Sequence, residues 1–172
     1  LAGANTQFAR AADSARKHAA TDPSVFGVFL GSSPCAQPIR PILQVPSRAR
    51  CEIVRWSLTL HQESQTQVPS RYELRADYGA AAPGAAGLAR GVRTLERQGT
   101  WSLGKGTQSN PDAVVYELGA GLSLVEVSVD VLHVLNTDRS LMVGDGGFSY
   151  SLNRAESAEA PVDERTARSQ PE

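Results

Sequence analysis

Regular alternation of apolar and polar residues through the middle of the chain limits the folds open to it. The run IVRWSLTL at 53–60 places an apolar side chain at every second position from Val54 onward, with Arg, Ser and Thr between them. The run RYELRADY at 71–78 repeats this pattern. Because successive side chains of a strand point to opposite faces, both runs predict strands with one buried and one solvent-exposed face.

Further strands are predicted along the same part of the chain, with no internal helix. They cover 24–30, 99–103, 113–118, 124–135 and 148–152. The alternation changes phase near Val131, which predicts a bulge or a break in the longest of these runs. Turn-forming clusters at 136–140 and 144–147 separate the last strands. Many short strands joined by turns predict an all-β fold, either an antiparallel barrel or a sandwich.

Two stretches interrupt the alternation. The first, at 32–50, contains four prolines and is called the proline-rich loop below. The second, at 80–91, consists almost entirely of Ala, Gly and Pro and is called the alanine-rich loop. Both are predicted to be long loops at the mouths of a barrel, where binding residues are found more often than in packed strands.

The chain divides by composition into three segments. Residues 1–20 are rich in alanine with Phe8 as the only large apolar side chain, which predicts a short N-terminal helical extension. Residues 21–154 form the predicted β-barrel domain. Residues 155–172 carry five acids against two arginines and little apolar surface, which predicts a disordered acidic tail.

Charge and motifs exclude several functions. The chain has 17 basic and 18 acidic residues, so it lacks the basic excess expected of a protein that binds nucleic acid or an anionic membrane surface. No run of about 20 apolar residues predicts a transmembrane helix. The sequence contains no Gly-x-Ser-x-Gly, His-Glu-x-x-His, P-loop or Gly-x-Gly-x-x-Gly motif. We therefore predict no catalytic residue and a protein that is not an enzyme.

Cys35 and Cys51 are the only cysteines, and their pattern has two interpretations. They form a disulfide in an oxidising compartment, where closing a loop of this length stabilises the fold by roughly 3 kcal/mol. Alternatively, their thiolates bind copper or zinc, with His61 or Met142 as further ligands.

Aromatic side chains on the predicted inner face form another candidate site. If the alternation holds, they face the interior, where they fill the core or line a cavity for a small hydrophobic ligand. These residues are Trp56, Tyr72, Tyr78, Trp101, Phe148 and Tyr150.

The order of short motifs resembles a known family. Phe26-Gly27 is followed by Pro-Cys-Ala at 34–36, Tyr-x-Leu at 72–74 and Gly-Thr-Trp at 99–101. In this order the motifs resemble those of the N-terminal domain family of the copper-resistance and envelope-stress lipoprotein NlpE. The resemblance implies a small lipocalin-like antiparallel β-barrel. It also implies an insertion between Ala36 and Cys51, which makes Cys35 and Cys51 neighbours in space.

The same resemblance implies a function. It predicts a periplasmic or secreted protein of the bacterial cell envelope that acts in envelope stress sensing or copper handling, through protein contacts made by the proline-rich loop. Two other functions are consistent with the residues alone. One is a lipocalin-like carrier of a small hydrophobic ligand, and the other is a secreted inhibitor that presents the proline-rich loop to an enzyme.

Overall fold

A computed structural model describes residues 22–84, 87–144 and 148–155 of the chain. The predicted N-terminal extension and nearly all of the predicted acidic tail lie outside the described residues. Within these ranges, no helix has the length and apolar character needed to cross a membrane.

The described residues form one strongly curled antiparallel sheet, a half-barrel, which confirms the prediction of an all-β, barrel-like fold. Its nine strands lie in the order β4-β3-β2-β1-β9-β8-β7-β6-β5. In chain order, β1 to β9 are Val25–Pro34, Ile53–Gln62, Pro69–Gly79, Arg93–Thr100, Ser102–Lys105, Val114–Glu117, Ser123–Ser128, Val131–Val134 and Ser151–Arg154.

Trp101 explains how the sheet curls. β4 and β5 are the two ends of the sheet, yet Trp101 alone separates them in the chain. Its backbone N–H donates to the carbonyl oxygen of Ser70 at 3.1 Å, and its indole N–H donates to that of His61 at 2.6 Å. Because the chain passes directly from one sheet end to the other, the two ends must approach each other at this corner.

Most predicted strands are present, including the break near Val131. The long run at 124–135 is divided into β7 and β8, with a register shift between Glu126 and Ser128. The last strand was placed too early, because it begins at Ser151 and extends to Arg154, where the chain pairs with β1. The predicted strand at 99–103 is divided by Trp101 into the end of β4 and the start of β5.

The absence of an internal helix was a wrong prediction. Residues Ile39–Leu43 within the proline-rich loop form a short helix, α1. Ile39, Ile42 and Leu43 are buried, a spacing that places all three on one face of the helix. The helix ends at Gln44, which adopts a left-handed conformation with φ of 56°.

Helix α1 packs into the concave side of the sheet. The hydrophobic core joins α1 to side chains from both halves of the half-barrel. Trp56 lies at its centre with no exposed surface, and its indole N–H donates to the hydroxyl oxygen of Ser33 at 2.8 Å. The largest fully buried side chains are Trp56, Phe29, Ile39, Leu43, Leu58, Leu60, Leu118, Leu124, Leu132, Leu135, Leu152 and Val54.

Candidate functional site

Both long loops lie at the same end of the sheet. The register pairs Pro34 with Ile53 and Ile53 with Gly79, so β1 ends where β2 begins and where β3 ends. Tyr78 pairs with Arg93, the first residue of β4. The proline-rich loop therefore emerges beside the alanine-rich loop. We call this region the disulfide end.

Cys35 and Cys51 form a disulfide that closes the proline-rich loop at its base. Their Cα atoms are 5.6 Å apart, and both residues are buried. The backbone N–H of Cys35 also donates to the carbonyl oxygen of Glu52 at 2.9 Å. Of the two interpretations of the cysteine pair, the structure shows the disulfide. Since both sulfur atoms are used in this bond, a thiolate metal site could form only after its reduction.

Arg40 holds the inside of the loop together. Its guanidinium donates to the carbonyl oxygens of Pro46, Ser47, Ala49 and Cys51, at 3.2, 3.4, 3.0 and 3.4 Å. Sequence reasoning missed this role, although residues 36–50 contain three arginines and no acid. A partly buried arginine without a nearby carboxylate can use backbone carbonyl oxygens as acceptors, and this composition was the available signal.

The proline-rich loop has two faces. Its apolar side chains are buried and extend the core, namely Ile39, Ile42, Leu43, Val45 and Ala49. Its other face is exposed to solvent and presents Ala36, Gln37, Pro38, Pro41, Gln44, Pro46, Ser47, Arg48 and Arg50. The loop is therefore a packed element of the fold with one accessible surface.

Glu52 connects the two loops. Its backbone N–H donates to the carbonyl oxygen of Gly79 at 2.8 Å, and its carboxylate accepts a hydrogen bond from the N–H of Ala81 at 2.9 Å. Arg50 also donates to this carboxylate, at 3.3 Å. The Ala81 N–H, followed by Arg50, holds the pKa of Glu52 below its ordinary value. Glu52 is thus a fixed negative charge at the disulfide end.

Three arginines surround an open cleft beside this bridge. Arg50, Arg90 and Arg93 line a cleft of about 380 Å³, whose other walls are formed by residues of the alanine-rich loop and by Gly79. Within the described part of the chain, neither Arg90 nor Arg93 makes an ion pair or a side-chain hydrogen bond, whereas Arg50 pairs with Glu52. The cleft is therefore electropositive.

His61 lies at the other end of β2, away from the cysteines. Eight residues separate it from Ile53, about 26 Å along a strand. Its side chain is 9% exposed, with Nε2 3.6 Å from Oε1 of Glu73, and neither ring nitrogen has a hydrogen-bond partner among the described residues. Burial, followed by the charge of Arg71, lowers the pKa of His61. The structure does not bring His61 to the cysteine pair.

Met142 follows β8 and packs in the hydrophobic core. Its carbonyl oxygen lies 2.7 Å from Nε2 of His133. Throughout 22–84, 87–144 and 148–155, no group of three or more His, Cys, Asp or Glu side chains is placed to hold a metal ion. Cys35 and Cys51 are therefore the only pair among the predicted metal ligands that the structure shows in direct contact.

The aromatic residues predicted to face the interior differ in burial. Trp56, Tyr72, Tyr78, Trp101 and Tyr150 are buried, whereas Phe148 is only half-buried and precedes β9.

Sequence reasoning missed Phe26 and Tyr116, which pack against Trp101 with ring centroids 5.3 and 5.4 Å from its own. The hydroxyl of Tyr116 donates to Glu126 at 2.5 Å. Burial, together with this bond, raises the pKa of Tyr116 far above its ordinary value. The apolar, acidic, apolar order of Tyr116, Glu117 and Leu118 was the available signal for its inward position, but contacts between distant strands have no local signal.

The chain matches no known protein family, no curated protein and no solved structure. Its resemblance to the NlpE N-terminal domain therefore stays a prediction based on sequence motifs.

Proposed function

We propose that this protein is a non-enzymatic protein of the bacterial cell envelope that binds a partner protein through the exposed face of its proline-rich loop. The observation that carries this proposal is the way the loop is held. The Cys35–Cys51 disulfide closes its base, Arg40 bonds four of its carbonyl oxygens, and α1 anchors it in the core.

A loop fixed in this way suits protein binding. Ordering a flexible loop on binding costs free energy, and a loop that is already ordered avoids most of that cost. The backbone of the loop is restricted further by three prolines, whose rings fix φ. These are Pro38, Pro41 and Pro46. The exposed face is thus a surface of defined shape.

The disulfide supports an envelope location. Disulfides persist in the periplasm and outside the cell, whereas the reducing cytosol keeps most cysteines as thiols. The resemblance to the NlpE N-terminal domain predicts the same compartment and a role in envelope stress sensing. Both lines involve Cys35, since the Pro-Cys-Ala motif at 34–36 is part of the resemblance.

The structure favours protein contacts over the other predicted activities. Copper handling by Cys35 and Cys51 requires reduction of their bond. A hydrophobic ligand would compete with the side chains that occupy the concave side of the sheet, including Trp56 and Leu43 of α1. A secreted inhibitor would use the same exposed loop face, so its target is one kind of partner within this proposal.

Capture of partners from an envelope extract of the source organism tests the proposal. Deleting the loop would remove Ile39, Ile42 and Leu43 from the core, so substitutions on the exposed face are preferable. We expect Pro41→Glu with Arg48→Glu to abolish capture of a protein that the unaltered chain retains. The control is Ser109→Glu, an exposed residue between β5 and β6. Equal capture by all three chains would contradict the proposal.

Isothermal titration with Cu(I) tests the copper activity separately. We expect no binding by the oxidised chain, because neither sulfur is a free thiolate. If the reduced chain binds Cu(I) and the double variant Cys35→Ser, Cys51→Ser does not, copper binding is assigned to the reduced cysteine pair. Binding by the oxidised chain would require a site outside the cysteine pair.

A further inference from the structure

The electropositive cleft at the disulfide end has no assigned role. Arg50 ends the proline-rich loop, whereas Arg90 and Arg93 lie three residues apart before and at the start of β4. The register of β2, β3 and β4 brings the two places together. The side chain of Arg50 is 79% exposed, and Arg90 and Arg93 are exposed as well. All three guanidinium groups are therefore accessible from solvent.

This arrangement leaves positive charge without a local partner. Glu52 pairs with Arg50, but its carboxylate is also held by the N–H of Ala81. Arg90 and Arg93 have no ion pair among the described residues. Guanidinium groups that share a cleft repel one another, and an anion between them removes that repulsion. Their planar forks match carboxylate oxygens in pairs.

The lining of the cleft distinguishes between two sources of anions. Apart from the arginines, it consists of Gly79, Ala80, Ala81, Pro83, Ala89 and Gly91. Surfaces that bind membranes usually add Trp, Phe or Leu side chains that enter the lipid, and the cleft has none. An open cleft of small residues instead admits an extended polypeptide whose acidic side chains reach the arginines.

The chain's own described ends lie elsewhere. The N–H of Ala155 donates to the carbonyl oxygen of Val28 at 2.7 Å, and Val28 is six residues from Pro34 along β1, about 20 Å. β1 begins farther still from the disulfide end, at Val25. The cleft is thus at the end of the sheet remote from both ends of the described residues.

We propose that the cleft of Arg50, Arg90 and Arg93 binds an acidic segment of a partner protein through aspartate or glutamate carboxylates. The inference rests on the proposed function, because the segment belongs to the partner that contacts the proline-rich loop. It adds to the proposed function that the partner's binding segment is acidic.

Nuclear magnetic resonance of the full chain tests the inference, with a hexaglutamate peptide as the probe. We expect saturable shifts of the guanidinium Nε–H signals of Arg50, Arg90 and Arg93, which weaken as salt is added. Arg90→Gln with Arg93→Gln should weaken the affinity about tenfold, the effect of losing two exposed ion pairs. Arg71→Gln with Lys105→Gln removes the same charge away from the cleft and should leave the affinity nearly unchanged.

Several outcomes would overturn the inference. One is equal weakening by the control variant, which would show attraction by net charge alone. A second is binding of phosphatidylglycerol vesicles or inorganic phosphate in place of hexaglutamate. A third is tighter binding after neutralising the acids of residues 156–172 in the full chain, which would assign the cleft to the chain's own acidic segment.

The proposed function is judged by a separate result. If the cleft variant still captures the envelope protein that the Pro41→Glu, Arg48→Glu chain loses, the loop is the binding surface and the cleft is not part of it. If both variants lose that protein and hexaglutamate binds the cleft, both proposals hold. If neither variant affects capture while hexaglutamate binds, the captured protein does not use either surface. The proposed function is then wrong, and the inference that rests on it fails as well.

Discussion

The indole N–H of Trp101 donates to the carbonyl oxygen of His61 at 2.6 Å, joining the corner between β4 and β5 to the end of β2. Trp101 is also stacked on Tyr116, with ring planes 8° apart. One side chain therefore connects the two halves of the curled sheet through a hydrogen bond and an aromatic contact.

Replacing Trp101 should destabilise the protein more than any exposed substitution. Trp101→Phe removes the hydrogen bond and leaves the buried His61 carbonyl oxygen without this donor. We therefore expect a loss of about 1–3 kcal/mol in the free energy of unfolding. Trp101→Ala should cost about 3–5 kcal/mol, because it also leaves a cavity. Urea unfolding measures both. Phe148→Leu, at a half-buried position, serves as the control, and a larger effect there would contradict this role for Trp101.

Removing the disulfide should lower stability without changing the fold. Cys35→Ser with Cys51→Ser reopens a loop with a sequence separation of 16. We expect a decrease of about 3 kcal/mol in the free energy of unfolding, mainly because the unfolded chain gains freedom. Urea unfolding of oxidised and reduced protein measures this difference. A reductant should have no effect on the double variant, and an effect there would show that it acts elsewhere.

Arg40 should stabilise the proline-rich loop independently of the disulfide. Arg40→Met keeps the apolar stem but removes the donors to four carbonyl oxygens. We expect a loss of about 1–3 kcal/mol, together with faster amide exchange in the loop, since the partly buried carbonyl oxygens of Ala49 and Cys51 lose a charged donor. Unfolding and hydrogen exchange measure the two effects. Arg48→Met, on the exposed face, is the matched control and should change neither.

Some of this structure could be predicted from sequence, and the missing parts share physical causes. β2 and β3 alternate cleanly because one of their faces is buried. Residues 93–98 of β4 were missed because Leu95 is the only large apolar residue of this strand, and an edge strand is held by backbone hydrogen bonds that any side chain permits. Helix α1 was missed because it has only five residues, one of them a proline, and so has little intrinsic helical preference. Its stability comes from burial in the core, which no local pattern shows.

The candidate site was predictable only in part, for a related reason. Composition limited Cys35 and Cys51 to one disulfide or a thiolate site, but could not decide between them. The cleft was not predictable, because Arg50 and Arg93 meet through the pairing of β2 with β3 and of β3 with β4. Such contacts depend on register across three strands, which local patterns do not specify.

His61 should make stability depend on pH in the weakly acidic range. Its pKa in the folded protein lies below the ordinary value of 6.5, first through burial and then through the charge of Arg71, although Glu73 and Asp22 oppose the shift. The unfolded chain therefore binds a proton more readily than the folded protein. Stability from the neutral imidazole is present above pH 6.5 and is lost as the pH falls through the pKa of the folded protein.

His61→Phe keeps a buried ring of similar size and removes this titration. We expect the free energy of unfolding of the variant to change less than that of the unaltered chain when the pH falls from neutral to weakly acidic values. Urea unfolding at several pH values measures the difference between the two chains. His133→Phe is the control for replacing a histidine elsewhere in the sheet. A parallel pH dependence of the His61→Phe chain and the unaltered chain would show that His61 is not the group responsible.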